Sequence, residues 1–228
     1  MTTSSALANG GRSAVVVVSG ATGRLGLAVA RQVLASGGKV AAAVRKPWQV
    51  AKLREQLGTT GVLVGLVPSL DTEAAAGFAK GANDALGPVS AFVAAAGTFA
   101  LRTPGREPGS DLAEQLEANL LANATLARAL LPGMRRRRHG RLVFVGAGPA
   151  CLAAGSVTFV AAKEAVHGYV RALAADLAAD AASRGVEATM LQPEFAARTT
   201  DEQIAAMAAS VLAAAGSAMG GVLSPIAP

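Results

Sequence analysis

The sequence predicts a doubly wound, three-layer α/β sandwich built on a mostly parallel sheet of seven strands. Three observations predict it. Short Val- and Ala-rich runs alternate with longer segments of helical periodicity, and that alternation demands parallel pairing through right-handed crossovers. The short runs are apolar throughout, as strands covered on both faces are. A glycine-rich turn joins the first run to the first helical segment, the place where such sheets receive phosphates.

Taken in order, Ala14–Ser19 is the first strand and ends in glycine. Arg24–Ser36 carries Leu25, Val29 and Val33 at helical spacing until Gly37-Gly38 stops it. Val40–Val44 is a strand, Trp48–Leu57 a helix, Gly61–Val67 a strand, and Thr72–Leu86 an Ala-rich helix. Val89–Ala95 is the fourth strand. A polar connection from Gly97 to Ser110, with Pro104 and Pro108, follows it near the sheet edge where ligands bind. Asp111–Met134 is a long helix, Arg141–Val145 a strand, Val157–Arg184 a second long helix and Val186–Gln192 the sixth strand. Asp201–Ala215 is the last helix, and Val222–Leu223 the seventh strand.

The 228 residues are 52% hydrophobic and 16% charged. About 54, roughly a quarter, are alanine. The length suits one domain over 13–228, behind a polar, disordered lead-in over 1–12. That lead-in lacks the basic start and apolar core of a signal peptide. High aliphatic content with low charge excludes a disordered chain, and Cys151 as sole cysteine excludes a disulfide scaffold. Aromatics at 4% argue against stacking platforms for single-stranded nucleic acid. The uncharged stretch from Gln203 to Pro228 is too alanine-rich and too broken by Gly216, Gly220 and Gly221 for a membrane span, so a cytoplasmic protein is expected. The net charge is +6, concentrated in Arg135–Arg138 before His139. That run reads as a solvated helix C-terminus, where the dipole favours cations. The alternative, a phosphate or nucleic-acid patch, is kept second, and nucleic acid is not an expected partner. His139 and His167 are too few and too separated for a metal site, and none is expected.

The turn reads Ser19-Gly20-Ala21-Thr22-Gly23-Arg24-Leu25-Gly26. Gly20 suits a tight turn, Gly23 lets a pyrophosphate approach the backbone, and Gly26 lets the helix pack close. Lying between a strand and a helix in the first βα unit, this pattern predicts dinucleotide binding through Gly20, Thr22, Gly23, Arg24, Leu25 and Gly26. At the end of the second strand an NAD site places an acidic residue on the ribose 2′-hydroxyl. Here Val44 fills that slot, and Arg45-Lys46 follow. With Arg24 nearby, the cations favour a 2′-phosphate, so NADP(H) is expected over NAD(H).

With these residues in view, the chain resembles the short-chain dehydrogenase/reductase family, nearest its β-ketoacyl-carrier-protein reductase branch. The resemblance runs from Ala14 to about Leu223. Asn119-Leu120 through Leu131-Pro132-Gly133-Met134 is similar to the family's central helix, and Ala161-Ala162-Lys163 with Val166 and Gly168 to its catalytic helix. It implies a Rossmann-like sheet and a homodimer or homotetramer joined across the two long helices, or a hetero-oligomer with an active homologue. The family works with Asn, Ser, Tyr and Lys: Tyr protonates the carbonyl, Lys holds the ribose and lowers the Tyr pKa, Ser orients the carbonyl, and Asn supports a proton relay. Asn119 and Lys163 match two of these positions. Ala147 stands in the Ser slot and Phe159 in the Tyr slot, and neither side chain carries a proton to give.

Other polar positions differ likewise. The family's Asn-Asn-Ala-Gly is Ala94-Ala95-Ala96-Gly97, its acidic residue before that strand is Ser90, and its Asp-Val near the adenine falls at Pro68-Ser69 with Asp71 beyond. Its Pro-Gly becomes Pro193-Glu194, and its nicotinamide-facing Thr falls at Arg198, beside Thr199. Through the resemblance, Ala95, Gly97, Lys163 and Pro193 join the expected cofactor contacts. Ser156 and Thr158 are the hydroxyls nearest the missing Tyr, whereas Tyr169, six residues past Lys163, falls nearly on the opposite side of the helix. Three functions follow: an NADP(H)-binding pseudoenzyme or partner subunit, an active oxidoreductase relying on Lys163 and Asn119, or a non-enzymatic nucleotide-sensing regulator.

Overall fold

The computed structural model describes residues 13–103, 105–148, 154–193 and 199–216. The lead-in over 1–12, Pro104, Cys151, Glu194, Arg198 and the expected strand Val222–Leu223 lie outside the described residues.

The chain alternates as expected: β1 (Val15–Ser19), α1 (Arg24–Ala35), β2 (Lys39–Val44), α2 (Pro47–Leu57), β3 (Val62–Leu66), α3 (Thr72–Leu86) and β4 (Val89–Ala94). Then come α4 (Asp111–Leu116), a π-helical turn (Glu117–Leu121), α5 (Ala122–Arg137), β5 (Gly140–Val145), α6 (Val157–Ala179), a 3₁₀ turn (Ala181–Ser183), β6 (Val186–Leu191) and α7 (Asp201–Ala215). The described strands form one sheet of six, all parallel, in the order β3-β2-β1-β4-β5-β6. The order reverses between β1 and β4, which opens a crevice at their C-terminal ends.

The sheet buries two cores. Val15 and Val17 face one layer with Phe78 of α3, Leu126 and Leu130 of α5, and Val166 and Val170 of α6. Val16 and Val18 face the other with Val29 of α1, Leu53 of α2, and Val211 and Leu212 of α7. Each fully buried valine of β1 contributes about 1.5–3 kcal/mol relative to exposure. Small alanines at Ala41, Ala42, Ala91 and Ala94 let helices approach the sheet closely.

Two helical expectations are corrected. Asp111–Met134 is not one uniform helix: the π turn over Glu117–Leu121 inserts an extra residue into the ladder, and the helix then runs on to Arg137. Val157–Arg184 is shorter, because α6 ends at Ala179. There Asp180 caps the 3₁₀ turn by accepting from Ala182 N–H. The arginine run closes the C-terminus of α5, as expected, with Arg136 and Arg138 exposed and the other two arginines engaged. Arg137 donates to the Val89 carbonyl at 2.7 Å, and its pKa is lowered by burial and then by Arg136. Arg135 donates to Ser183 Oγ at 2.8 Å and faces Asp180. These arginines tie the C-terminus of α5 to β4 and to the 3₁₀ turn.

Among the described residues no helix is long and apolar enough to cross a membrane, and no His, Cys, Asp and Glu cluster could hold a metal ion.

Candidate functional site

The crevice at the switch point is built from the glycine turn upward. Gly20 has φ +69°, and a Cβ there would stand 2.5 Å from the Ala95 carbonyl oxygen. A Cβ on Gly26 would collide with the Gly20 carbonyl oxygen. Both glycines are therefore dictated by close backbone approach, between the turn and β4 and between the turn and α1. Gly23 is the N-cap of α1 and offers no side chain to cap it, so the helix end presents its N–H groups toward the crevice.

Gly20, Thr22, Gly23, Ala95 and Gly97 line a cavity of about 190 Å³, together with Arg45, Gln49 and Asn123. That volume is below the ~300–1,000 Å³ of sites enclosing a whole small ligand. It suits one part of a dinucleotide, and the glycine cradle fits a pyrophosphate there. The side chains of Arg24 and Leu25 are not in the wall of this cavity. Arg24 leaves the cavity to pair with Asp201 on α7 at 2.7 Å, and Leu25 is buried in the second core. In the first helical turn these side chains point outward to α7 and inward to the sheet, so only the backbone of this turn faces a ligand.

A buried polar network supports the crevice floor. Ser19 Oγ donates to Asn123 Oδ1 at 2.7 Å and accepts from Ala96 N–H at 3.2 Å. Asn123 Nδ2 donates to the Ala96 carbonyl at 2.9 Å and to the Asn119 carbonyl at 2.9 Å. Asn123 escapes sequence reasoning. The available clue is its place four residues after Asn119, on the stripe shared with Leu126 and Leu130 (an asparagine on an apolar face needs buried partners).

Asn119 lies in the π turn and is 1% exposed. Its Nδ2 is within bonding distance of the Thr98 carbonyl, the Gln115 carbonyl and Gln115 Oε1, at 3.0–3.1 Å. Three acceptors fix the amide, so Oδ1 turns the other way, toward Gly97, and has no partner. A Cβ on Gly97 would strike this oxygen and stand 3.5 Å from Lys163 Nζ. Asn119, Gly97 and Lys163 thus meet at one point. Lys163 Nζ also donates to the Val145 carbonyl at 3.0 Å.

Phe159 sits 5.8 Å, ring centroid to Nζ, from Lys163. Its ring is 6% exposed because Phe99, itself 57% exposed, packs edge-on against it at 4.8 Å between centroids. Phe159 thus packs between the Phe99 ring and the Lys163 ammonium, with no hydroxyl of its own. Ala147 is half-buried after β5, where Gly146 N–H donates to the Leu191 carbonyl and Gly148 N–H to the Pro193 carbonyl. These bonds set Pro193 beside Ala147, and Lys163, Asn119 and Pro193 all lie outside the cavity wall.

The two nearby hydroxyls are placed as follows. Thr158 Oγ1 donates to Asp111 Oδ2 at 2.5 Å, and Asp111 is buried with Arg102 Nε at 3.4 Å from its other oxygen. This bond directs Thr158 toward α4 and away from Lys163. Ser156, the N-cap of α6, is also buried. Tyr169 packs on Phe144 at 5.7 Å, away from the crevice, and burial pushes its phenol pKa up.

The chain matches the short chain dehydrogenase family over residues 14–208. It is 28% identical over 177 residues to Oxidoreductase BOA17 of Botryotinia fuckeliana, covering 77% of this chain but only 63% of that protein. It is 28% identical over 182 residues to the 3-oxoacyl-(acyl-carrier-protein) reductase FabG of Vibrio harveyi, covering 79% of this chain and 72% of that one. Among solved structures, an oxidoreductase of Burkholderia thailandensis superposes with a TM-score of 0.76 at 26% identity, over 92% of this chain and 88% of that one. The serine dehydrogenase of Escherichia coli superposes at 0.73 and 24% identity, over 84% and 87%, and bears on the fold alone. With the parallel sheet, the glycine turn and a family match over most of its length, the chain belongs to the short-chain dehydrogenase family.

Proposed function

We propose that this protein binds NADP(H) through its glycine turn and lacks the proton donors of carbonyl reduction, so that it serves as a pseudoenzyme or partner subunit with little or no turnover. The observation that carries the reading is the contrast within one crevice. The phosphate side keeps a backbone cradle and a cation, Arg45, in its cavity wall. The opposite side sets Phe159 under Phe99 and Ala147 beside Pro193. A bound cofactor supplies hydride chemistry. This chain would hold its phosphates at Gly20, Thr22 and Gly23 and its ribose near Lys163, and it would offer no hydroxyl at residue 159. General acid catalysis contributes about 10²–10⁴-fold, and that factor is what the Phe and Ala positions remove.

The test is a fluorescence titration with NADPH, followed by a screen of aldehydes, quinones and ketoacyl thioesters. Saturable binding with no turnover, and turnover in Ala147→Ser/Phe159→Tyr, is the expected pattern. No binding at high micromolar NADPH overturns the proposal. A second reading, an active NADP(H)-dependent oxidoreductase protonating its product through water, rests on Lys163 Nζ and Asn119 Oδ1 both facing Gly97. It predicts turnover in the unmodified protein that Lys163→Ala abolishes.

A cytoplasmic homodimer or homotetramer, or a complex with an active homologue, belongs to the same proposal. Leu112, Leu121 and Val157, exposed on α4, the π turn and α6, supply apolar area for it. Light scattering after size exclusion reads the assembly.

A further inference from the structure

Three hydrogen bonds converge on one side chain at the end of β2. Gln49, in the first turn of α2, accepts from Arg45 N–H at 3.0 Å and from Lys46 N–H at 2.9 Å, both on Oε1. Its Nε2 donates to Thr22 Oγ1 at 3.3 Å. Gln49 therefore ties the β2–α2 turn to the glycine turn, and it lines the cavity between Thr22 and Arg45. Two successive backbone N–H groups aimed at one oxygen make a small concave donor site of the kind that receives an anionic oxygen. A neutral carboxamide oxygen occupies it.

In a sheet of this order the residue ending the second strand meets the adenosine ribose at its 2′ position. Resting on the dinucleotide reading above, we infer that Gln49 sets the choice at that position, by competing with a 2′-phosphate for the N–H groups of Arg45 and Lys46. The cation of Arg45 attracts a phosphate. A second cation, Arg24 of the glycine turn, is paired with Asp201 instead. A phosphate oxygen then has to displace Gln49 Oε1, which also satisfies the N-terminal turn of α2. A 2′-hydroxyl displaces nothing, because the carboxamide can donate to it or accept from it where it stands. Gln49 thus holds the preference for a phosphorylated ribose below what Arg45 alone would give.

The test compares NADPH and NADH binding in the full chain, read as energy transfer from Trp48, the sole tryptophan and the neighbour of Gln49. Thermal shifts with 2′,5′-ADP and with ADP give a second readout free of redox chemistry. Gln49→Ala frees both N–H groups and raises the ratio of the NADH to the NADPH dissociation constant by roughly tenfold, as for a regained hydrogen bond to a charged group. Gln49→Glu keeps the capping acceptor and places a carboxylate there, so the ratio falls below that of the unmodified protein. If Gln49→Ala fails to fold, Gln49→Glu alone decides. Ratios unchanged or moved the opposite way, with binding intact, overturn the inference. An unmodified protein that binds neither nucleotide overturns the dinucleotide reading instead.

Discussion

Asn123 carries the floor of the crevice. Where the family has an Asn pair after the fourth strand, this chain has Ala94 and Ala95. An amide reaching in from α5 bonds the Ala96 carbonyl and the Ser19 hydroxyl. Asn123→Ala removes the side-chain donor to that carbonyl and leaves the Ser19 hydroxyl proton with only a 3.5 Å contact to the Val93 carbonyl. Leaving buried groups unsatisfied costs about 1–3 kcal/mol. Urea denaturation of the variant is expected to show a loss in that range with an unchanged m-value. A loss under about 0.5 kcal/mol, the scale of a surface substitution, would contradict the role. Tyr169 gives a second residue-level expectation. Burial raises its folded pKa above the ordinary value of about 10. A neutral phenol favoured by folding contributes stability that is fully present below pH ~10 and is lost as pH rises through the folded value. Tyr169 is the only tyrosine, so tyrosinate absorbance reads it alone. The native midpoint should lie above that measured in denaturant.

At the scale of elements, the loop after β4 is latched onto the two long helices. Arg102 N–H donates to the Gly155 carbonyl at 2.7 Å, and Asp111, at the start of α4, receives Thr158 of α6 and Arg102 of the loop. This latch holds Phe99 over Phe159. Thr158→Val and Asp111→Asn should each lower stability by about 1–3 kcal/mol, since each breaks a buried bond to a carboxylate. The double variant should lose less than the two together, with a coupling of about 0.5–3 kcal/mol in a double-mutant cycle. Strict additivity would mean that the two side chains act separately. The strands and helices themselves were legible, because apolar runs and helical spacing are local properties. The latch was not, because Asp111 and Thr158 are 47 residues apart and each reads as an ordinary polar residue near a helix start. The π turn carries no composition mark either. The tight geometry of the glycine turn is legible at Gly20 and Gly26, because close backbone approach there leaves no room for a Cβ. The side-chain directions of Arg24 and Leu25 are not legible in the same way, because in a first helical turn they depend on what packs beside them.

The whole molecule divides its crevice into two unequal halves, and ligand fragments can separate them. On the phosphate side, the uncapped N-terminus of α1, Thr22 and Arg45 surround a cavity. Most binding free energy for a dinucleotide should arise there, from charge-assisted bonds to phosphate. On the other side, Asn119 Oδ1 and Lys163 Nζ are the polar groups nearest Gly97, and the rings of Phe159 and Phe99 close the space beside them. A fragment carrying only the adenosine half, 2′,5′-ADP, should therefore stabilise the fold nearly as well as NADPH at equal concentration. The rise follows the usual linkage, about 2.7 kcal/mol at a hundredfold excess over Kd. Nicotinamide mononucleotide, which carries only the other half, should leave the melting temperature unchanged at the same concentration. The reversion Ala147→Ser/Phe159→Tyr should not alter the response to 2′,5′-ADP, because it acts across the crevice, while it tightens NADPH. If NADPH instead binds the unmodified protein more than about a hundredfold tighter than 2′,5′-ADP, roughly 2.7 kcal/mol, the nicotinamide side contributes binding of its own, and the division of the site into a working and a silent half fails.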